Sequence, residues 1–138
     1  MNEFSYKLKV FYEDTDSGGV VYYANYLKFL ERARSEAIYS LDYTNSSLLE
    51  TFGVLLIVKS CNIEYKKPAK FEDKLEVISV VQSFTKTSFL MKQSISRNNE
   101  IISDAEIHLV SVDKNGKPLT DQKVEKKVFV DAFDYYRN

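Results

Sequence analysis

The sequence has few of the residues that carry metal, redox and disulfide chemistry. Its 138 residues include one cysteine, one histidine and no tryptophan. The single thiol, Cys61, cannot form an intramolecular disulfide. No set of histidine, cysteine and carboxylate residues has the spacing of a metal site. We therefore expect neither a bound metal nor a redox cofactor.

Long apolar runs and an excess of one charge are also missing. No apolar run approaches the roughly 20 residues that cross a bilayer. Nineteen basic residues stand against twenty acidic ones, so no overall positive field attracts a polyanion. The chain starts without the basic, apolar and small-residue series of a signal peptide. We expect a cytoplasmic protein with no membrane insertion and no nucleic acid partner.

Apolar and aromatic residues, by contrast, are plentiful. A hydrophobic content of 44% over 138 residues suits one domain, spanning 1–138, with a core of its own. Ten tyrosines and nine phenylalanines suit half-buried sheet surfaces and interfaces. The composition therefore favours a β-rich fold.

The first half of the chain shows both helix and strand periodicity. Residues 5–13 alternate apolar and polar side chains, the pattern of a strand with one buried face. Apolar residues then recur at steps of three and four, which predicts one long helix near 23–41. The stretch "NSSLLETFG" predicts a short helix, with Ser47 and Glu50 spaced as a capping box and Gly53 as its stop.

The second half is rich in strand-forming residues between turn sequences. Four strands are predicted, near 54–66, 73–84, 87–98 and 101–112. The tail, 124–136, fits either a helix or an irregular edge. One strand, one long helix and four consecutive strands predict an α+β layout, an antiparallel sheet packed around a helix. Because five strands leave open edges, we expect dimerisation by sheet extension or by face packing.

An acidic cluster, "EDTDSGG" at 13–19, lies before the long helix. Acids there can simply be solvated and favoured by the helix dipole. Asp14, Asp16 and Gly19 match the first, third and sixth positions of a calcium loop, but Gly18 and Asn25 fail at the fifth and twelfth. The glycine pair also lacks the lysine and hydroxyl of a P-loop.

A catalytic interpretation uses the same features better. Glycines let the backbone approach a ligand closely, and the following helix presents N–H groups without partners. Those N–H groups can bind a developing oxyanion while a nearby carboxylate acts as nucleophile or as general base for water. This is a geometry for acyl transfer.

Two segments resemble a known family. "YEDTDSGGVVYYANYLKFLERARSE" is similar to the signature of the hotdog-fold acyl-CoA thioesterases of the 4-hydroxybenzoyl-CoA thioesterase family, in the Tol-Pal-associated branch. "KSCNIEYKKPAKFEDKLEV" resembles that family's second and third strands. The resemblance implies a five-stranded antiparallel sheet wrapped around one long helix, in homodimers that pair into tetramers. It also implies hydrolysis of an acyl-CoA substrate without a cofactor.

The resemblance also implies roles for particular residues. Asp16 would be the catalytic carboxylate, and the backbone N–H of Tyr23 would polarise the thioester carbonyl. Asp14 and Glu13 would shape the turn or hold surrounding groups. Contacts to the substrate would come from the glycine segment and the second strand: Gly19, Val20, Tyr22, Ser60 and Cys61.

One residue departs from the branch, which commonly has histidine where this chain has Tyr23. An imidazole base is therefore excluded there, whereas a backbone donor survives any residue except proline. His108 lies mid-strand without a partner motif, and Cys61 fits a small buried thiol better than a nucleophile. Six basic residues are candidates for the CoA phosphates, none singled out: Lys59, Lys66, Lys67, Lys70, Lys86 and Arg97.

Two rival functions keep the same fold. A non-catalytic protein that binds acyl-CoA or an acyl carrier gains nothing from an unpaired carboxylate beside a thioester, so Asp16 counts against it. A hotdog dehydratase relies on an active-site histidine, and His108 is badly placed for that role.

Overall fold

The computed structural model describes residues 3–129. Its strands are β1 (Phe4–Lys9), β2 (Leu55–Tyr65), β3 (Lys74–Phe84), β4 (Ser88–Arg97) and β5 (Glu100–Val112). Its helices are α1 (Asn25–Tyr39) and α2 (Asn45–Phe52), with a short 3₁₀ turn at Tyr12–Asp14. Residues 123–129 form one more helical stretch, the terminal helix.

The five strands form one antiparallel sheet in the order β1-β3-β4-β5-β2. The central strands β3, β4 and β5 follow one another through tight turns. The edges are β1 and β2, the two strands that flank the helices in sequence. The predicted α+β class and the five-stranded antiparallel sheet are confirmed.

Helix α1 packs its apolar stripe against the inner face of this sheet. Ala33 and Ala37 on that stripe have no exposed surface, so the helix backbone approaches the sheet closely. Buried Gln93 of β4 donates a hydrogen bond from Nε2 to the Leu30 carbonyl (3.0 Å) and accepts one from Arg34 (2.9 Å). These bonds fix the helix along the sheet.

Three element boundaries differ from the sequence predictions. Strand β1 ends at Lys9 instead of residue 13, because the chain turns there into the 3₁₀ segment. Helix α1 is shorter than 23–41, since it begins at Asn25 and ends at Tyr39. The capping box of α2 joins Thr44 and Ser47, not Ser47 and Glu50.

Other predictions agree closely with the structure. Gly53 ends α2 in the left-handed conformation (φ 70°), which glycine adopts without strain. The boundaries of β2 to β5 fall within one residue of the predicted ranges. In the predicted tail, 124–129 are helical, and the remaining residues to 136 lie outside the described part.

Candidate active site

The loop between β1 and α1 is folded back on itself by backbone hydrogen bonds. The Asp16 N–H donates to the Val20 carbonyl (2.9 Å), and the Gly19 N–H donates to the Asp16 carbonyl (3.0 Å). Gly19 has φ 79°, a conformation that a residue with a Cβ rarely adopts. An isolated bridge between Val20 and Lys70 attaches the loop to the segment before β3. The glycine therefore closes a tight turn that presents Asp16.

Asp16 is exposed, and only one of its carboxylate oxygens is engaged. Oδ1 accepts a hydrogen bond from the Gly18 N–H (2.8 Å). A Cβ at position 18 would lie 3.2 Å from that oxygen, so glycine leaves the carboxylate its place. Within 3–129, Oδ2 accepts no hydrogen bond. Asp16 is thus oriented by one oxygen and open to a reactant at the other.

Asp14 has the opposite environment, with only 5% of its surface exposed. Its Oδ2 accepts a hydrogen bond from the Phe11 N–H (2.9 Å). Its carbonyl oxygen accepts bonds from the Tyr22 N–H (3.0 Å) and from the Asn25 side-chain amide (3.0 Å). Asp14 therefore holds the loop against the start of α1, one of the roles expected for it. Glu13 is exposed.

The start of α1 leaves two neighbouring backbone donors free. The Tyr22 carbonyl accepts from the Asn25 N–H (2.8 Å), and the Tyr23 carbonyl accepts from the Tyr26 N–H (3.4 Å). In the described part of the chain, the N–H groups of Tyr23 and Ala24 donate no hydrogen bond. No side chain among residues 3–129 caps this helix, and its first turn contains no acid. Its partial positive charge is therefore available to a ligand.

Tyr65, the last residue of β2, joins that strand to the helix start. Its hydroxyl donates to the Tyr23 carbonyl (3.0 Å), and its ring lies edge-on to Tyr26, with 5.0 Å between centroids. Burial, followed by the nearby Cys61, Tyr26 and Tyr23, raises the pKa of the Tyr65 phenol above its ordinary 10.0. The phenol therefore stays protonated and can donate at neutral pH.

The residues predicted to contact substrate lie in two places. Gly19, Val20 and Tyr22 belong to the loop that carries Asp16, and the Tyr22 ring lies 4.8 Å from that of Tyr23. Ser60 and Cys61 lie on edge strand β2. Cys61 is four residues from Tyr65, which is about 13 Å along a strand.

No hydrogen bond or ring contact within residues 3–129 links Ser60 or Cys61 to the loop. The structure therefore brings together the loop residues and leaves the β2 pair apart from them. Cys61 is exposed, so its predicted burial is wrong: it lies on β2, an edge strand of the sheet.

No group of three or more histidine, cysteine or carboxylate side chains in the described residues is arranged to hold a metal ion. Nor does any helix in that part of the chain have the length and apolar character to span a bilayer. His108 lies on β5, and its Nε2 is 2.9 Å from Ser88 Oγ, away from the loop.

Comparison with known proteins identifies the family. A family model described as the Thioesterase-like superfamily matches residues 10–132, nearly the whole chain. The chain belongs to this superfamily. Acyl-CoA thioesterase YbgC of Haemophilus influenzae is 40% identical over 129 residues, which cover 93% of this chain and 95% of that protein. Acyl-CoA thioester hydrolase YbgC of Escherichia coli is 37% identical over 111 residues, covering 80% and 82%.

A solved structure of the same architecture extends this likeness. A 4-hydroxybenzoyl CoA thioesterase mutant in complex with 4-hydroxybenzoyl CoA matches with a TM-score of 0.85 at 17% identity, covering 93% of this chain and 99% of that one. At that identity the likeness concerns the fold alone. Together with the superfamily match and the YbgC relatives, it confirms the resemblance and the hotdog fold. The predicted enzyme class, a thioester hydrolase, is also confirmed.

Three of the six cationic candidates for CoA phosphates already pair with acids in this superfamily member. The distances are 3.2 Å between Lys66 Nζ and Asp104 Oδ2, 2.8 Å between Lys67 Nζ and Glu100 Oε2, and 2.7 Å between Arg97 Nη1 and Asp73 Oδ2. The other three, Lys59, Lys70 and Lys86, have no ion pair with a described residue. Of these, Lys70 is joined by a backbone bridge to Val20 in the loop between β1 and α1.

Sequence reasoning missed two residues of the site, Asn25 and Tyr65. Asn25 ties the helix start to the Asp14 carbonyl; its only signal was a polar residue within an otherwise apolar stretch. Tyr65 gave no signal of its own, because its contact with Tyr23 joins residues 42 positions apart.

Proposed function

We propose that the protein hydrolyses an acyl-CoA thioester to a free acid and CoA, with Asp16 as nucleophile or general base. In this proposal the backbone N–H of Tyr23 binds the carbonyl oxygen of the thioester. The main supporting observation joins two features at the loop between β1 and α1. Asp16 has one carboxylate oxygen without a hydrogen bond from a described residue, and the helix start that follows has free backbone N–H groups. The YbgC relatives support acyl-CoA as the substrate class.

Each group acts where charge changes during hydrolysis. As the carbonyl carbon is attacked, negative charge develops on its oxygen, and free N–H groups at a helix start stabilise that charge. Asp16 either attacks the carbon directly, forming an anhydride that water then opens, or removes a proton from the attacking water. Both routes release CoA as its thiol and leave the acid.

Asp16 Oδ2, which accepts no hydrogen bond from a described residue, also favours an enzyme over a binding protein. A site that only held acyl-CoA would place a carboxylate beside the thioester at an electrostatic cost without benefit. The exposed side chains of Tyr12, Tyr22 and Tyr23 around the loop offer apolar area to the substrate. Lys70 is our choice for a contact to the CoA phosphates.

We further propose that the active form is a homodimer that pairs into a tetramer and works in the cytoplasm. Edge strand β2 supports the dimer: in the described part of the chain it pairs only with β5, and both of its faces carry exposed apolar residues, Ile57 and Val58 among them. An exposed apolar edge strand is a template for pairing with another chain.

Replacement of Asp16 by asparagine tests the proposed chemistry. Asp16→Asn keeps the shape and the acceptor for the Gly18 N–H but removes the charge and basicity. We expect kcat to fall at least about a hundredfold with KM little changed, because a general base or nucleophile acts mainly in the transition state. Thiol release from a panel of acyl-CoA substrates measures both constants and identifies the preferred acyl group.

Asp14→Asn is the matched control, since it makes the same chemical change two residues away. The side-chain oxygen of asparagine can still accept from the Phe11 N–H, so its kcat should fall less than that of Asp16→Asn. If Asp16→Asn keeps most of its turnover, or if the order of the two variants is reversed, Asp16 is not the catalytic carboxylate.

A further inference from the structure

Tyr65 is the one described side chain outside the loop that binds the free end of α1. Its hydroxyl donates to the Tyr23 carbonyl, which within residues 3–129 otherwise accepts only a long bond of 3.4 Å from the Tyr26 N–H. Tyr26 is itself fixed, because its hydroxyl accepts a hydrogen bond from the buried Ala69 N–H (3.0 Å). Through its ring contact with Tyr26, which is buried in the core, Tyr65 therefore connects the core to the peptide that begins the helix.

The peptide it contacts carries a free donor. A peptide unit is planar, so the direction of the Tyr23 carbonyl determines the direction of the Ala24 N–H. That N–H has no hydrogen-bond partner in residues 3–129, and neither does the Tyr23 N–H beside it. Ala24 already has helical backbone angles (φ −69°, ψ −21°), and free N–H groups at a helix start point together toward its N-terminus.

The two peptides that carry the free N–H groups are held by different hydrogen bonds to their carbonyls. The Tyr23 N–H belongs to the peptide whose carbonyl, that of Tyr22, accepts from the Asn25 N–H at 2.8 Å. The Ala24 N–H belongs to the peptide whose carbonyl is held by Tyr65. A hydrogen bond to a peptide carbonyl also polarises that peptide and strengthens its N–H as a donor.

From this arrangement we propose that Tyr65 is a positioning residue for thioester hydrolysis: its hydroxyl holds the Tyr23–Ala24 peptide so that the Ala24 N–H is a second donor to the thioester carbonyl oxygen. The inference rests on the proposed function of this site. It adds a donor at Ala24 and assigns a role to a β2 residue that never touches the reacting atoms.

Removal of the Tyr65 hydroxyl tests this role kinetically. Tyr65→Phe keeps the ring packed on Tyr26 and deletes only the bond to the Tyr23 carbonyl. We expect kcat to fall about threefold to tenfold, the range of one neutral hydrogen bond, with KM within about twofold of the unaltered protein. Tyr39→Phe is the control, because Tyr39 is equally exposed at 45% and its hydroxyl makes no hydrogen bond with a described residue. Its kcat should not change.

A spectroscopic measurement separates positioning from a general loss of structure. The probe is a ketone analogue of the preferred acyl-CoA, with a methylene in place of the thioester sulfur and ¹³C at the carbonyl. Donors at the helix start should lower its infrared carbonyl stretching frequency on binding, and Tyr65→Phe should weaken that shift. Circular dichroism and thermal unfolding should match between the variants.

The outcomes distinguish this inference from the proposed function. If the carbonyl frequency does not fall even in the unaltered protein, the helix start does not polarise the substrate and the proposed mechanism fails with it. If the frequency falls equally in Tyr65→Phe and kcat is unchanged, only the positioning role is overturned. The positioning role is also overturned if Tyr65→Phe raises only KM and the carbonyl frequency of the bound analogue is the same as in the unaltered protein.

Discussion

Asp14 and Asp16 show how two carboxylates two residues apart acquire different roles from their surroundings. Asp14 is buried and accepts from the Phe11 N–H, whereas Asp16 is exposed with one oxygen unused. The motif alone identified both acids, and the family resemblance chose between them. Their burial could not be predicted from sequence, because it depends on how the loop closes against Asn25 and on which carbonyls face inward.

At Tyr23 the choice between backbone and side chain can be tested directly. Tyr23 follows the Tyr22 carbonyl that accepts from Asn25, so it occupies the second position of a turn, where proline is favoured. Tyr23→Pro therefore deletes the free N–H without breaking a described hydrogen bond. We expect a folded variant whose kcat falls by about 10² to 10³, the usual effect of losing one oxyanion donor.

Two further substitutions at Tyr23 isolate the side chain. Tyr23→Phe and Tyr23→His both retain the N–H, so each should keep turnover within roughly tenfold of the unaltered protein. Tyr23 is 63% exposed, in keeping with a secondary role for its side chain. If Tyr23→Phe is damaged as severely as Tyr23→Pro, with both folded by circular dichroism, the hydroxyl is required and the backbone mechanism is wrong.

At the scale of elements, the sequence predicted which segments form strands and helices. It did not predict the ends of elements that depend on local hydrogen bonds. The boundaries of β2 to β5 followed from stretches of strand-forming residues between turn sequences. The end of β1 was predicted too late, because the alternation of apolar and polar residues continues into residues that leave the sheet for the 3₁₀ turn. The cap of α2 was misplaced since Thr44 and Ser47 bond reciprocally, a geometry that several nearby polar residues could satisfy on spacing alone.

The terminal helix carries a buried acid that should make stability depend on pH. Neither carboxyl oxygen of Glu125 has a hydrogen-bond partner in the described chain, and the neighbouring Ser111 hydroxyl donates to Gln122 instead. Burial raises the pKa of Glu125 above its ordinary 4.5. The folded state therefore binds its proton more tightly than the unfolded state, and stability declines as pH rises above 4.5 toward the folded pKa.

Glu125→Gln removes this titration while keeping the size of the side chain. We expect the melting temperature of the unaltered protein to fall relative to that of Glu125→Gln as the pH rises above 4.5, because only the carboxyl must ionise when buried. Thermal unfolding at several pH values measures the gap. The control is Glu106→Gln, an exposed acid without a described ion pair, which should follow the unaltered protein. Parallel curves for all three proteins would contradict the assignment.

For the whole molecule, composition and element order predicted the α+β class, and the resemblance predicted how sheet and helix combine. Element order alone did not predict that β1 pairs with β3 while β2 lies at the far edge beyond β5. That order depends on which strands reach one another across α1, a long-range property without a local signal. It matters for function, because it places Tyr65 at the end of an open edge strand and also beside the helix start. Pairing of a second copy along β2 would therefore adjoin the loop between β1 and α1.

An edge-directed double substitution tests the proposed assembly. Ile57 and Val58 are 44% and 45% exposed on opposite faces of β2, and lysines on an edge strand oppose pairing with another chain. We expect the unaltered protein to be at least dimeric by light scattering at micromolar concentration. Ile57→Lys combined with Val58→Lys should shift it toward the monomer. This should also lower kcat, since the end of β2 that carries Tyr65 then lacks the second copy that stabilises it. Ile101→Lys is the control, being 46% exposed on β5, which is not an edge. An active unaltered monomer, or a double variant that stays dimeric, would contradict assembly through β2.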